Sequence, residues 1–196
     1  MSRGKPKKKV KPAQPRRSSG TPVIVFASIM IVVVLVGWYV FSQPGRAPGG
    51  IGDVAPDFEL QEVNAEGLTN NMIQLSSFRG RVVVLEFMVS WCNACQQMAP
   101  SLAYLDEKYS GQDVVFLSVA GTHSGATAES TAEFIREHGA TWTHVLDSDN
   151  SVFPKYGVEA TPSYFIIDGS GKILSKFQGI LGTDAFSAAI DAALSG

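Results

Sequence analysis

Both cysteines of the chain fall within Trp91-Cys92-Asn93-Ala94-Cys95, two residues apart, and this stretch constrains the fold more than any other. An apolar, β-branched-rich run, Val82 to Val89, leads into it, and a run of helix-forming residues, Gln96 to Tyr109, follows. A strand that ends in Cys-x-x-Cys and opens a helix sets the first thiol near a helix N-terminus. There the unpaired N–H groups and the helix dipole favour the thiolate. The thiolate is the nucleophile of disulfide exchange, and a second thiol two residues on can close an internal disulfide and release the partner. A structural zinc site needs four ligands, so the fold would have to gather His123, His138 and His144 around the two cysteines. A purely structural disulfide between such close neighbours would close too short a loop to stabilise much. The pattern therefore points to redox-active use of the pair.

Trp-Cys-Asn-Ala-Cys-Gln-Gln-Met-Ala-Pro, residues 91–100, resembles the active site of thioredoxin folds, with its proline five residues after the second cysteine. The similarity runs from Gly52 to the C-terminus and is nearest to the membrane-anchored thiol–disulfide oxidoreductases of the TlpA/ResA type. The resemblance implies an α/β thioredoxin fold, a central mixed sheet flanked by helices, with an N-terminal β-hairpin, a βα insertion and one preceding transmembrane helix. It implies no cofactor, protein thiols and disulfides as substrates, and an upstream electron-transfer protein as partner. Cys92, the more exposed thiol in this arrangement, is expected to attack, and Cys95 to resolve the mixed disulfide. Asn93 and Ala94 place no charge between the sulfurs, which favours a reducing or intermediate pair over a strongly oxidising one.

Glu86 lies six residues before Cys92, where thioredoxin keeps a buried Asp behind its active site. Alternation along the strand points its carboxyl inward, and burial would raise its pKa enough to take the Cys95 proton near neutral pH. The other reading is a carboxyl at the surface or bridging Arg79 or Lys176. Thr161-Pro162, just before the apolar run Ser163 to Ile167, resembles the cis-proline loop that faces the cysteines in this fold; a trans proline opening a strand is the alternative. Such a loop offers backbone edges to an extended substrate segment, so Trp91, Thr161 and Pro162 are the expected substrate-binding residues. One position departs from the TlpA/ResA pattern. Met98 stands where reductases serving cytochrome c maturation often carry Glu, which removes acid–base help from that side.

Residues 1–20 hold eight Lys/Arg and no acid, while the other eight Lys/Arg and all eighteen Asp/Glu lie beyond, leaving −10 there. The basic tail does not signal nucleic-acid binding, because Pro22 to Phe41 follows with no charged residue. Twenty residues at ~1.5 Å each span about 30 Å, the hydrocarbon thickness of a bilayer. Trp38 and Tyr39 suit an interfacial belt, and the positive flank belongs in the cytoplasm. A cleavable signal peptide would have a shorter apolar core and an Ala-x-Ala-like site, which Ser42 to Arg46 lacks. The predicted organisation is a basic disordered tail at 1–21, a membrane helix at 22–41, a Pro/Gly linker at 42–56 and a thioredoxin-like domain at 57–196.

Within that domain the alternation of residues 57–63 predicts a strand, 64–71 a turn-like stretch and 72–75 a second short strand. Val82 to Met88 and Val114 to Val119 read as strands buried on both faces. A helix is expected from about Asn93 to Tyr109, with Met98, Leu102 and Leu105 on its core face and a kink at Pro100. Further helices are expected over residues 127–138 and 183–194, the latter capped by Thr183 or Asp184, with Phe186, Ile190 and Leu194 inward. Strands are expected at Trp142 to Leu146 and on either side of a tight turn at Asp168 to Gly171. Residues 121–147 resemble the insertion that enlarges TlpA-like domains.

Two other functions compete. Gly52 to Phe58 resembles the opening of peroxiredoxins, but their peroxidatic site needs Thr or Ser three residues before its cysteine and Pro seven before, where Val89 and Leu85 stand. A copper-delivery protein of the same fold would use Cys92, Cys95 and a histidine, but usually spaces its cysteines one residue further apart.

Overall fold

The computed structural model describes residues 29–36, 38 and 49–196. Residues 29–36 are helical with exposed side chains, and among the described residues no helix is long and apolar enough to cross a membrane. The predicted tail and most of the predicted span lie outside the described residues.

The apolar run at Val82–Met88 (β3) is buried at every position because it has sheet neighbours on both edges and side-chain layers on both faces. It pairs in parallel with β4 (Val114–Gly121) and antiparallel with β6 (Ser163–Ile167). Outward from β4 come β5 (Thr143–Asp147), then β1 (Glu59–Asn64) and β2 (Gly67–Gln74); outward from β6 comes β7 (Ile173–Gln178). The seven-stranded mixed sheet has the order β2-β1-β5-β4-β3-β6-β7. Strand alternation divides β3 between two cores. Val82, Val84 and Met88 pack with helices α1 (Asn93–Lys108), α2 (Ala128–His138) and α4 (Thr183–Leu194). Val83, Leu85 and Phe87 point to the other face, where Phe58, Phe153, Tyr156 and Phe165 close the core. Phe87 has ring partners there at 5.0 Å (Phe153), 4.9 Å (Tyr156) and 5.6 Å (Phe165). The Tyr156 hydroxyl donates to the Pro56 carbonyl at 2.7 Å, so this layer is a knot of aromatic side chains with one satisfied polar end.

The expected thioredoxin-type sheet is present, with the N-terminal hairpin on one edge and the inserted helix and strand, α2 and β5, beside it. Several expectations change in detail. The stretch read as turn-like at 64–71 is mostly strand: only Ala65 and Glu66 turn, with Asn64 opposite Gly67 and the Asn64 side chain accepting from the Glu66 N–H at 2.9 Å. β2 is an edge strand with one side in solvent, so it carries polar residues and no apolar alternation. Part of the predicted linker joins the domain. Gly52 N–H donates to the Ile173 carbonyl (2.8 Å), Ile173 N–H to Asp53 (2.9 Å) and Ala55 N–H to Gly171 (2.9 Å). A short helix, α3 (Val152–Lys155), was not predicted; Asp147 holds its start through the Val152 and Phe153 N–H groups. The N-cap of α4 is Gly182, without a side-chain cap, in place of Thr183 or Asp184. Ala193 takes the inner position expected for Leu194, which is exposed, because Phe186, Ile190 and Ala193 follow the helical period.

Candidate active site

β3 ends at Met88, and after three intervening residues the chain turns into α1 with Cys92 as its N-cap. The Cys92 sulfur accepts the Cys95 N–H at 3.2 Å, and the Cys92 carbonyl accepts the Gln96 N–H at 3.0 Å. This first sulfur thus occupies the place where a capping oxygen would sit, facing the positive end of the helix. Cys92 and Cys95 form a disulfide across a Cα–Cα distance of 5.2 Å. Cys92 is 6% and Cys95 1% exposed, so Cys92 is the more accessible of the two. The first turn of α1 carries no acidic residue, and the helix continues through Pro100.

Of the predicted substrate-binding residues, Trp91 and Thr161 share one groove, and Pro162 follows Thr161 in the chain. Trp91 is 52% exposed, and its indole N–H donates to the His123 carbonyl at 3.0 Å, so it is a surface group tied to the loop after β4. The Thr161–Pro162 peptide bond is cis. Pro162 is buried and its carbonyl accepts the Gly179 N–H at 2.8 Å, while the Thr161 backbone makes no hydrogen bond among the described residues. Trp91 and Thr161 line a groove of about 390 Å³ together with His123, Phe153 and Glu159. Met98 is buried in the core, and its sulfur accepts the Leu181 N–H at 3.4 Å.

Glu86 is buried on the face of β3 that α1 covers, the face that also holds Cys95. It bridges neither Arg79 nor Lys176; Lys176 reaches instead to the Tyr156 and Gly157 carbonyls. Its Oε2 accepts the Ser118 hydroxyl at 2.5 Å, and Ser118 in turn accepts the Trp142 indole N–H at 2.7 Å. Burial raises the Glu86 carboxyl from its ordinary 4.5 to about 7, against the opposing pull of Ser118 and Tyr164. The Tyr164 hydroxyl is near enough to act on that equilibrium but has no hydrogen-bond geometry to any group among the described residues. His144 is also buried. Its Nδ1 donates to the Trp142 carbonyl at 2.8 Å, its Nε2 has no partner among the described residues, and burial pushes its pKa down to about 4. Ser118, Trp142 and Tyr164 do not stand out as site residues in the sequence, and His144 does so only as one of the three histidines a zinc site would have to gather. The one local signal was a lone hydroxyl in the apolar run of β4, opposite Glu86 only once the register is known.

No group of three or more His, Cys, Asp or Glu side chains among the described residues is arranged to hold a metal ion.

Comparison with known proteins follows the same outline. The model of the AhpC/TSA family matches residues 51–176. The chain is 30% identical over 161 residues to the thiol-disulfide oxidoreductase ResA of Oceanobacillus iheyensis, covering 79% of this chain and 81% of that protein. It is 26% identical to the thiol:disulfide interchange protein HelX of Rhodobacter capsulatus, over 88% of this chain and 96% of that one. Among solved structures, a candidate thiol:disulfide interchange protein DsbE from Chlorobium tepidum superposes with a TM-score of 0.66 at 29% identity. That superposition covers 74% of this chain and 98% of the other.

Proposed function

The chain belongs to the AhpC/TSA family and is a thiol–disulfide oxidoreductase, and from that premise we propose a membrane-tethered, extracytoplasmic enzyme that reduces disulfides in protein substrates. The observation that carries the reading is the Cys92–Cys95 pair at the start of α1, with Cys92 as the N-cap beside an exposed Trp91. In the reduced enzyme the Cys92 thiolate attacks one sulfur of a substrate disulfide; that bond breaks and the other sulfur leaves as a thiolate. Glu86 takes the proton from Cys95, whose thiolate then attacks the Cys92 sulfur of the mixed disulfide. The substrate's second sulfur leaves, two electrons have passed to the substrate, and Cys92–Cys95 is the disulfide that remains. An upstream electron-transfer protein reduces it again by the reverse exchange.

Trp91, Thr161 and Pro162 hold the substrate segment. The exposed indole gives it an apolar contact, and the Thr161 backbone gives it a hydrogen-bonding edge. The tether is supported by the charge-free stretch at 22–41, and the basic flank before it argues for a catalytic domain outside the cytoplasm. A peroxidase is favoured by the family match and by the peroxiredoxin-like opening at Gly52 to Phe58. Against it stand Val89 and Leu85, both core residues at the positions where that chemistry needs Thr or Ser and Pro.

The Cys95→Ser variant tests the proposal. It should accumulate mixed disulfides with protein substrates through Cys92, whereas Cys92→Ser should trap none, as read by non-reducing electrophoresis and mass mapping of the linked cysteine. Trapping through the other cysteine would reverse the assignment.

A further inference from the structure

Four residues opposite one another on β6, β3, β4 and β5 form a buried polar row across the sheet: Tyr164, Glu86, Ser118 and His144. The row lies on the face covered by α1, in a core that is otherwise apolar. A polar group buried there is costly unless it is hydrogen-bonded, so the partners of each member decide what the row does.

Ser118 is the junction. The Trp142 indole N–H can only donate, and a carboxylate can only accept. Ser118 has one hydroxyl hydrogen. Because it receives the indole hydrogen at 2.7 Å, its own hydrogen goes to Glu86 Oε2 at 2.5 Å, and the direction of the chain Trp142→Ser118→Glu86 is set. A hydroxyl donating to a carboxyl group binds the ionised form more strongly than the protonated one. The rest of the surroundings gives Glu86 no charged partner. On β6 it faces the Tyr164 phenol, which burial and the carboxyl itself hold protonated; on β5, beyond Ser118, stands His144, which burial holds neutral. α1 contributes Cys95, closed in its disulfide, to the core on this face, and no Lys, Arg or second carboxylate among the described residues shifts the Glu86 proton equilibrium.

We propose that Ser118, oriented by Trp142, is the positioning residue that keeps Glu86 able to ionise inside the core and so sets the pH at which Cys95 can be deprotonated. This rests on the reading of Glu86 as the acceptor of the Cys95 proton. Without the Ser118 hydrogen, burial is opposed by the Tyr164 hydroxyl alone, Glu86 keeps its proton to higher pH, and at neutral pH less of it is free to accept another. Ser118 touches neither sulfur nor substrate in this scheme; it acts through Glu86.

The measurement is the titration of the Glu86 side chain by carbon-13 NMR in the full chain with the disulfide closed, so that neither cysteine titrates. The signal is assigned by its loss in Glu86→Gln. In Ser118→Ala the Glu86 midpoint should rise by roughly one to two pH units, the worth of a hydrogen bond to a charged group. Ser118→Thr, which keeps the hydroxyl, should return it close to the native value, and Trp142→Phe should move it partway upward. A hydroxyl that merely satisfies the Trp142 N–H would leave the midpoint unmoved in Ser118→Ala, whatever happens to stability; that result, or equal midpoints in the Ala and Thr variants, overturns the proposal. The rate of Cys95 attack on a preformed mixed disulfide, followed against pH in the same variants, separates the two readings. If the midpoint moves and the rate profile follows, both stand. If the midpoint moves and the rate profile does not, Ser118 keeps its role and Glu86 loses its own.

Discussion

Glu86→Gln removes one ionisation from the core while keeping an oxygen that can accept the Ser118 hydrogen. The carboxyl, ordinarily at 4.5, is raised to about 7 in the folded chain, chiefly by burial. It therefore holds its proton more tightly folded than unfolded. The stability linked to it is present in full below about 4.5, is lost progressively as pH rises to about 7, and stays lost above that. At about 1.4 kcal/mol per pH unit the loss is roughly 3 kcal/mol. Gln does not ionise, so the variant should lack this fall. Any cost of its unpaired amide N–H offsets the whole curve equally, so the readout is the change in slope between pH 4.5 and 8. Denaturant unfolding with the disulfide closed, repeated across that range, measures it. In the same variant the attack of Cys95 on a mixed disulfide should slow by ~10²-fold and lose its pH midpoint. A flatter stability profile together with slower chemistry distinguishes a lost base from a damaged fold. Stability curves that run parallel in the two proteins would refute the raised carboxyl, and an unchanged rate and pH dependence would leave Glu86 a bystander.

Protease added outside intact cells or spheroplasts should digest the catalytic domain and spare the Lys-rich tail; the reverse pattern would overturn the proposed topology. Gly121→Ala should destabilise the domain by about 1–3 kcal/mol in denaturant unfolding. A Cβ there would stand 2.8 Å from the Phe153 ring and 2.9 Å from the His123 ring, beside the carbonyl that holds Trp91. Unfolding indistinguishable from the native protein would show that both rings yield freely.

The elements legible in the sequence are those whose cause is local. Val82–Met88 reads as a covered strand, and the helix from Asn93 follows from the Cys-x-x-Cys that opens it. Thr127 with Ser130 and Gly139 marks both ends of α2, through a reciprocal cap at one and a left-handed residue at the other. The pairing of Cys92 with Cys95 and the inward turn of Glu86 belong to the same class, since spacing and alternation are short-range properties, whereas the cis-proline loop at Thr161-Pro162 is legible only through the resemblance to thioredoxin folds. Residues 68–71 did not read as strand, because an edge strand is held by its neighbour's backbone and needs no apolar face. Residues 52–55 did not read as part of the domain, because their partners lie near position 172, far along the chain. Ser118 could not be matched to Glu86 or Trp142 for the same reason. Which residues stand opposite one another across four strands is decided when the sheet closes, and hydrogen-bond partners set by that register leave no periodic trace in the chain.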